Sequence, residues 1–182
     1  MLLLDWWTKR KRRLKEDKLK GYVRQNLSFL FSEWGAEFVP NEEYSSKCGV
    51  VHATLEVGQL RLKFVSLRDG SYTEVAAKHA PKQWEEISTA LKAIQAQQQV
   101  DDAEKISSQL TYLPISMLAP LLKRHLASLQ RSLSEPNHLT TWRAIEALKQ
   151  IERQEYAQRM EKIVRDASMT PNRNTPIGGQ LT

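Results

Sequence analysis

The sequence predicts an α+β fold: a three-stranded antiparallel meander covered by helices, followed by an all-helical C-terminal half. Three observations predict it. Apolar residues recur at the helical period before Gly35, alternate with polar ones between Gly49 and Ala77, and return to the helical period from Trp84 with no further strand pattern. A chain of 182 residues can bury about 70% of its unfolded surface, so a core needs neither disulfide nor metal. The single Cys48 excludes an internal disulfide framework.

The first helix is read from Val23, Leu27, Leu30, Phe31 and Trp34, which share one side of a 3.6-residue period. Gly35 stops it, and its start falls near residue 10 or 20. Ala36 to Pro40 is a short extended segment broken by proline, followed by the polar loop Asn41 to Lys47. Gly49, Val51, Ala53, Leu55 and Val57 then alternate with Val50, His52, Thr54 and Glu56, and Gly58-Gln59 turns the chain. Leu60, Leu62 and Phe64 alternate with Arg61, Lys63 and Val65 in a second strand with one buried and one wet face. Arg68-Asp69-Gly70 is a hairpin signal, because Asp-Gly accepts positive φ, and Ser71 to Ala77 is the third strand.

Pro81 is expected in a first helical turn, with Trp84, Ile87, Leu91 and Ile94 repeating after it and Glu85 and Glu86 favouring the helix dipole. Gln95 to Gln99 is a hinge or frayed end. Asp101 and Asp102 are expected to cap a segment with Ile106, Leu110 and Leu113, ended by Pro114. Ile115, Leu118, Leu121, Leu122, His125, Leu126, Leu129 and Leu133 make a strongly apolar helix, ended by Ser134 to Asn137. A last helix is expected from about Thr140 to Asp166, with Trp142, Ile145, Leu148, Ile151 and Ile163 on its apolar side. The organisation is therefore a basic arm or helix start at 1–20, an α-β-β-β-α domain at 21–96, a helical region at 100–166 and a disordered tail at 167–182.

The formal charge of +6 is local. Residues 1–20 hold eight basic and three acidic side chains, which leaves the remainder nearly neutral. The opening segment lacks the order of a secretory signal, since its basic residues follow a short apolar group interrupted by Asp5, so the chain is expected to be cytoplasmic. Leu3, Leu4, Trp7 and Leu14 fall near one side of a helical wheel. Three readings of this arm are open: contact of Arg10, Lys11, Arg12 and Arg13 with nucleic acid or an anionic membrane, a helix whose two Trp dock on the body while its charges stay solvated, or a frayed terminus.

No catalytic pattern is present. His52, His79, His125 and His138 have no helical i, i+4 partner, and Cys48 has no second cysteine, so no metal site is expected. Gly-x-Ser-x-Gly, a credible Ser-x-x-Lys and both glycine-rich phosphate loops are missing. The pairs Glu42/Glu43, Glu85/Glu86 and Asp101/Asp102 are sequence neighbours, whose side chains diverge, so they make no acid/base dyad. Cys48 reads as a buried, inert thiol, and Trp84 and Trp142 as packing residues. The wet face of the meander offers His52, Thr54, Glu56, Arg61, Lys63 and Glu74, of mixed sign and without Phe or Trp. That favours a protein partner over a polyanion, with His52, Glu56, Arg61, Lys63 and Glu74 as candidate contacts.

Leu27, Leu30, Phe31 and Gly35, then Tyr44-Ser45-Ser46, Thr54-Leu55-Glu56, the run Leu60 to Val65, Arg68-Asp69-Gly70 and Trp84 together form a pattern that resembles small bacterial α-β-β-β-α proteins. Some of these look like immunity proteins of polymorphic or contact-dependent toxin systems. The likeness covers the first half only. It implies a protein without cofactor or catalytic residues that binds a cognate toxin and occludes it stoichiometrically. A helical adaptor or scaffold subunit, and a nucleic-acid or membrane-surface protein acting through residues 1–20, are the other expectations.

Overall fold

A computed structural model describes the backbone of residues 2–40, 50–67, 70–98 and 114–169. The expectations for Asn41 to Lys47, Cys48, Arg68-Asp69, Asp101 to Leu113 and the tail beyond Met169 lie outside these described residues. The chain forms two compact units, residues 1–146 and 147–182.

The fold of the first unit is α+β, with one five-stranded antiparallel sheet in sequential order: β1 (Glu37–Val39), β2 (Val51–Val57), β3 (Leu60–Leu67), β4 (Gly70–Ala77) and β5 (Glu85–Glu86). The expected meander is its centre, and the sheet is wider than three strands by a short strand at each edge. Phe38 pairs with Leu55, and Val39 with Thr54. At the far edge Glu85 and Glu86 pair with Val75 and Glu74. These two glutamates therefore lie in a strand, not a first helical turn. Pro81 sits in the turns that return the chain from β4, closed by the Ala80 and Gln83 amides donating to the Ala77 and Ala80 carbonyls at 3.0 and 3.1 Å. The helix α3 (Ile87–Gln98) begins only after β5.

Alternation along the central strands sends Ala53, Leu55, Val57, Leu60, Leu62, Phe64, Val75 and Ala77 to one face, all buried. Among the described residues, α1 (Leu2–Asn26), α3 and α4 (Ile115–Ser132) pack on the sheet. Their buried residues include Leu19 and Val23 of α1, Leu91 and Ile94 of α3, and Leu118, Leu122, Leu126 and Leu129 of α4.

The first helix starts at Leu2 and does not run unbroken to Trp34. It ends at Asn26, and a short α2 (Ser28–Ser32) follows. Gly35, at φ 60°, lets the chain turn so that the Ala36 amide reaches the Leu30 carbonyl at 2.9 Å. The reading in which Trp6 and Trp7 dock on the body is overturned: both are more than half exposed.

Gly58, at φ 55°, makes the β2–β3 turn beneath α4, where an added Cβ would stand 2.6 Å from Gln130 Oε1. The last helix, α5 (Glu135–Met169), begins earlier than Thr140 because Pro136 falls in its first turn, where a missing N–H costs nothing. Its start is fastened by Asn137 Nδ2 donating to the Arg131 carbonyl at 3.0 Å and Thr141 Oγ1 donating to the Ser132 carbonyl at 2.7 Å. In the second unit Ile151, Tyr156, Met160, Ile163 and Val164 are exposed, so the expected apolar side of α5 is buried at Ile145 but not at Ile151 or Ile163. Among the described residues no helix is long and apolar enough to cross a membrane.

Candidate functional site

The opposite face of the sheet carries the charged residues. Because His52, Thr54 and Glu56 alternate with the core residues of β2, and Arg61, Lys63 and Val65 with those of β3, register alone brings them together. Glu56 lies opposite Arg61 on the neighbouring strand, and Lys63 opposite Glu74. All five residues expected from sequence to contact a partner share this face. His52, Arg61, Lys63 and Glu74 line a groove of about 310 Å³, closed at its sides by Val39 and Pro40 and by Pro81, Lys82 and Trp84.

The charges are organised in pairs. Arg61 Nε donates to Glu56 Oε1 at 2.9 Å, and Lys78 Nζ reaches Glu56 Oε2 at 2.7 Å. The hydrogen bond from Lys78 holds the Glu56 carboxyl below the usual carboxylate range, Arg61 adds in the same direction, and partial burial opposes both. Lys63 Nζ meets Glu74 Oε2 at 2.6 Å and lies over the Trp84 ring, 4.2 Å from its centroid. The groove wall is thus a chain of contacts from Glu74 through Lys63 to the indole.

Trp84 corrects the sequence reading twice. It packs in no helix, and it supplies the aromatic that the wet face was expected to lack. The helical spacing of Trp84, Ile87, Leu91 and Ile94 is fortuitous at its first member. Trp84, Glu85 and Glu86 instead follow the strand period, half-buried, buried and half-buried, into β5. Tyr72 on β4, opposite Val65, lines the same groove and was also missed. Its signal was available, since Tyr72 and Glu74 are two apart on one strand. Lys78 and Lys82 follow β4 in the connecting turns and have no periodic signature.

The arm residues Arg10, Lys11 and Arg13 are exposed on α1, and the backbone of Arg12 lies in the same helix. They are separate from the groove. A third cluster joins His79, His138 and Trp142: the two imidazoles are 4.7 Å apart edge to face, and the His138 and Trp142 rings 5.9 Å apart. Burial lowers the His138 pKa, with the nearby His79 acting in the same sense. Among the described residues no group of three or more His, Cys, Asp or Glu could hold a metal ion. Compared with protein-family models, curated proteins and solved structures, the chain matches none.

Proposed function

We propose that this protein is a non-enzymatic protein-binding module, an immunity protein that neutralises a cognate bacterial toxin by covering it stoichiometrically, and that the charged face of the sheet makes the contact. The observation that carries the reading is the convergence of Arg61, Tyr72 and Trp84 on one groove. Arg, Tyr and Trp are the side chains that most often dominate binding energy at protein interfaces. The ion pairs around them support the same reading. Arg61 and Lys63 are held by Glu56 and Glu74, so they are oriented before an encounter, and a partner side chain can be met at little entropic cost.

The test is co-expression with the toxin encoded by the adjacent open reading frame. Growth rescue and a complex of fixed stoichiometry are expected, and both are lost in a Trp84→Ala, Arg61→Glu variant that still melts cooperatively. Neither rescue nor complex with the unaltered protein would refute the proposal.

A second reading, a helical adaptor, is favoured by α5. Tyr156, Met160, Ile163 and Val164 are 41–66% exposed and fall within an arc of about 100°. Truncation after Glu146 separates the two readings: an immunity protein acting through the sheet keeps its rescue, whereas an adaptor loses its partner.

A further inference from the structure

We propose that residues 6–18 of α1 form a docking surface for a bilayer containing anionic phospholipid, lying in its interfacial plane. This surface is separate from the sheet groove and does not depend on how the groove is used. No described side chain from Trp6 to Lys18 is buried, and the first one that packs against the body is Leu19. Trp6, Trp7 and Leu14 are 52%, 53% and 56% exposed. At 100° per residue Leu14 falls about 20° from Trp7, while the buried Leu19 and Val23 fall about 120° and 160° away. The exposed apolar line thus points away from the seam that holds α1 to the sheet.

Charge complementarity names the occupant. Residues 6–18 contain seven basic and two acidic side chains, and within about 80° of Trp7 the helix places Arg10, Lys11, Lys15 and Lys18 against the single acid Asp17. Cations at the edge of an apolar stripe place their heads at phosphate level while the stripe enters the headgroup boundary. Indole rings favour that same depth. Arg10 lies 5.2 Å from the Trp6 ring centroid and Lys11 5.8 Å from that of Trp7, so each ring arrives with its own phosphate-binding cation.

The ring geometry separates this surface from one for nucleic acid. Stacked bases need open, parallel aromatic faces. Trp6 and Trp7 stand edge to face at 89°, and a cation lies over each.

The test uses the full chain with phosphatidylcholine vesicles prepared with and without phosphatidylglycerol, including brominated lipid as a short-range tryptophan quencher. Binding is expected only with the anionic lipid, weakening as salt is raised. Bromine quenching is expected in the unaltered protein and lost in Trp6→Ser, Trp7→Ser. Arg10→Glu, Lys11→Glu, Arg13→Glu should weaken vesicle binding by at least about tenfold. These positions are exposed, so circular dichroism and melting should be unchanged. Leu14→Ser is the independent check should a double or triple variant fold poorly, and it should weaken binding without altering the salt dependence. Failure to bind anionic vesicles, equal binding to neutral ones, or tighter binding to a random-sequence DNA duplex that ignores the tryptophan substitutions would each overturn the proposal.

Discussion

The two faces of the central sheet are drawn from the same strands, residue by alternate residue, yet they differ in kind. One is mostly apolar: Leu55, Leu60, Leu62 and Phe64 are fully buried beneath helices, with Thr73 and Glu85 as buried polar residues on the same face. The other is heterogeneous, with cations, carboxylates, Tyr72 and Trp84 around a groove. The difference separates two tasks. The covered face supplies apolar burial, which depends on size and shape and little on identity. The charged face buries Thr54, Val65 and Ala76 as well, and around them it carries the charged and aromatic side chains on which the proposed recognition rests.

Substitutions on the two faces should differ in what they cost. Leu62→Ala opens a cavity at the centre of the covered face and should cost about 2–5 kcal/mol in urea unfolding. Trp84→Ala on the charged face should weaken partner binding by at least about 2 kcal/mol, roughly 30-fold in Kd. If Trp84→Ala instead matched Leu62→Ala in lost stability without affecting binding, the division of tasks would be wrong.

Gly58→Ala tests the turn that joins β2 to β3 under α4. It forces a side chain into positive φ and against the Gln130 amide, so a loss of about 1–2 kcal/mol is expected by the same unfolding measurement.

Acid acts on two groups in two different pH windows. His138 is depressed below its ordinary 6.5, so the unfolded chain takes up its proton first and stability falls as pH drops below 6.5 towards the folded value. Glu56 is depressed below 4.5, so its contribution is present above that value and is lost as pH falls through the lower, folded pKa. His125 is depressed from the same value by burial, with Arg124 adding in the same sense, so His138→Phe should reduce the first decline without abolishing it, and Glu56→Gln should act only on the second, as read from unfolding free energy against pH. At neutral pH Glu56→Gln should cost no more than about 1 kcal/mol, the smallest effect of the series.

The same asymmetry explains what could be read in advance. The covered face was legible because burial imposes a period: Ala53, Leu55 and Val57 answer Leu60, Leu62 and Phe64 across one turn. His52, Glu56, Arg61, Lys63 and Glu74 were legible as the complement of that pattern. Strands of two or three residues are too short to show a period, so Ala36 to Pro40 reads as extended without a place in the sheet, and Trp84, Glu85 and Glu86 read as the start of a helix. The ends of α1 and α5 were misjudged for a related reason. Backbone hydrogen bonds extend a helix past its last packed side chain, so apolar spacing marks where Leu19 and Ile145 dock but not where Leu2 or Met169 ends the helix.

The most direct measurement is lysine reactivity in the protein mixed with its proposed partner, the product of the adjacent open reading frame. Lys82 lines the groove, while Lys123 is exposed on α4 over Phe29. Burial of the charged face by this partner should suppress acetylation of Lys82 and leave Lys123 at its rate in the free protein. Suppression of Lys123 with Lys82 unchanged would contradict the assignment of recognition to the charged face.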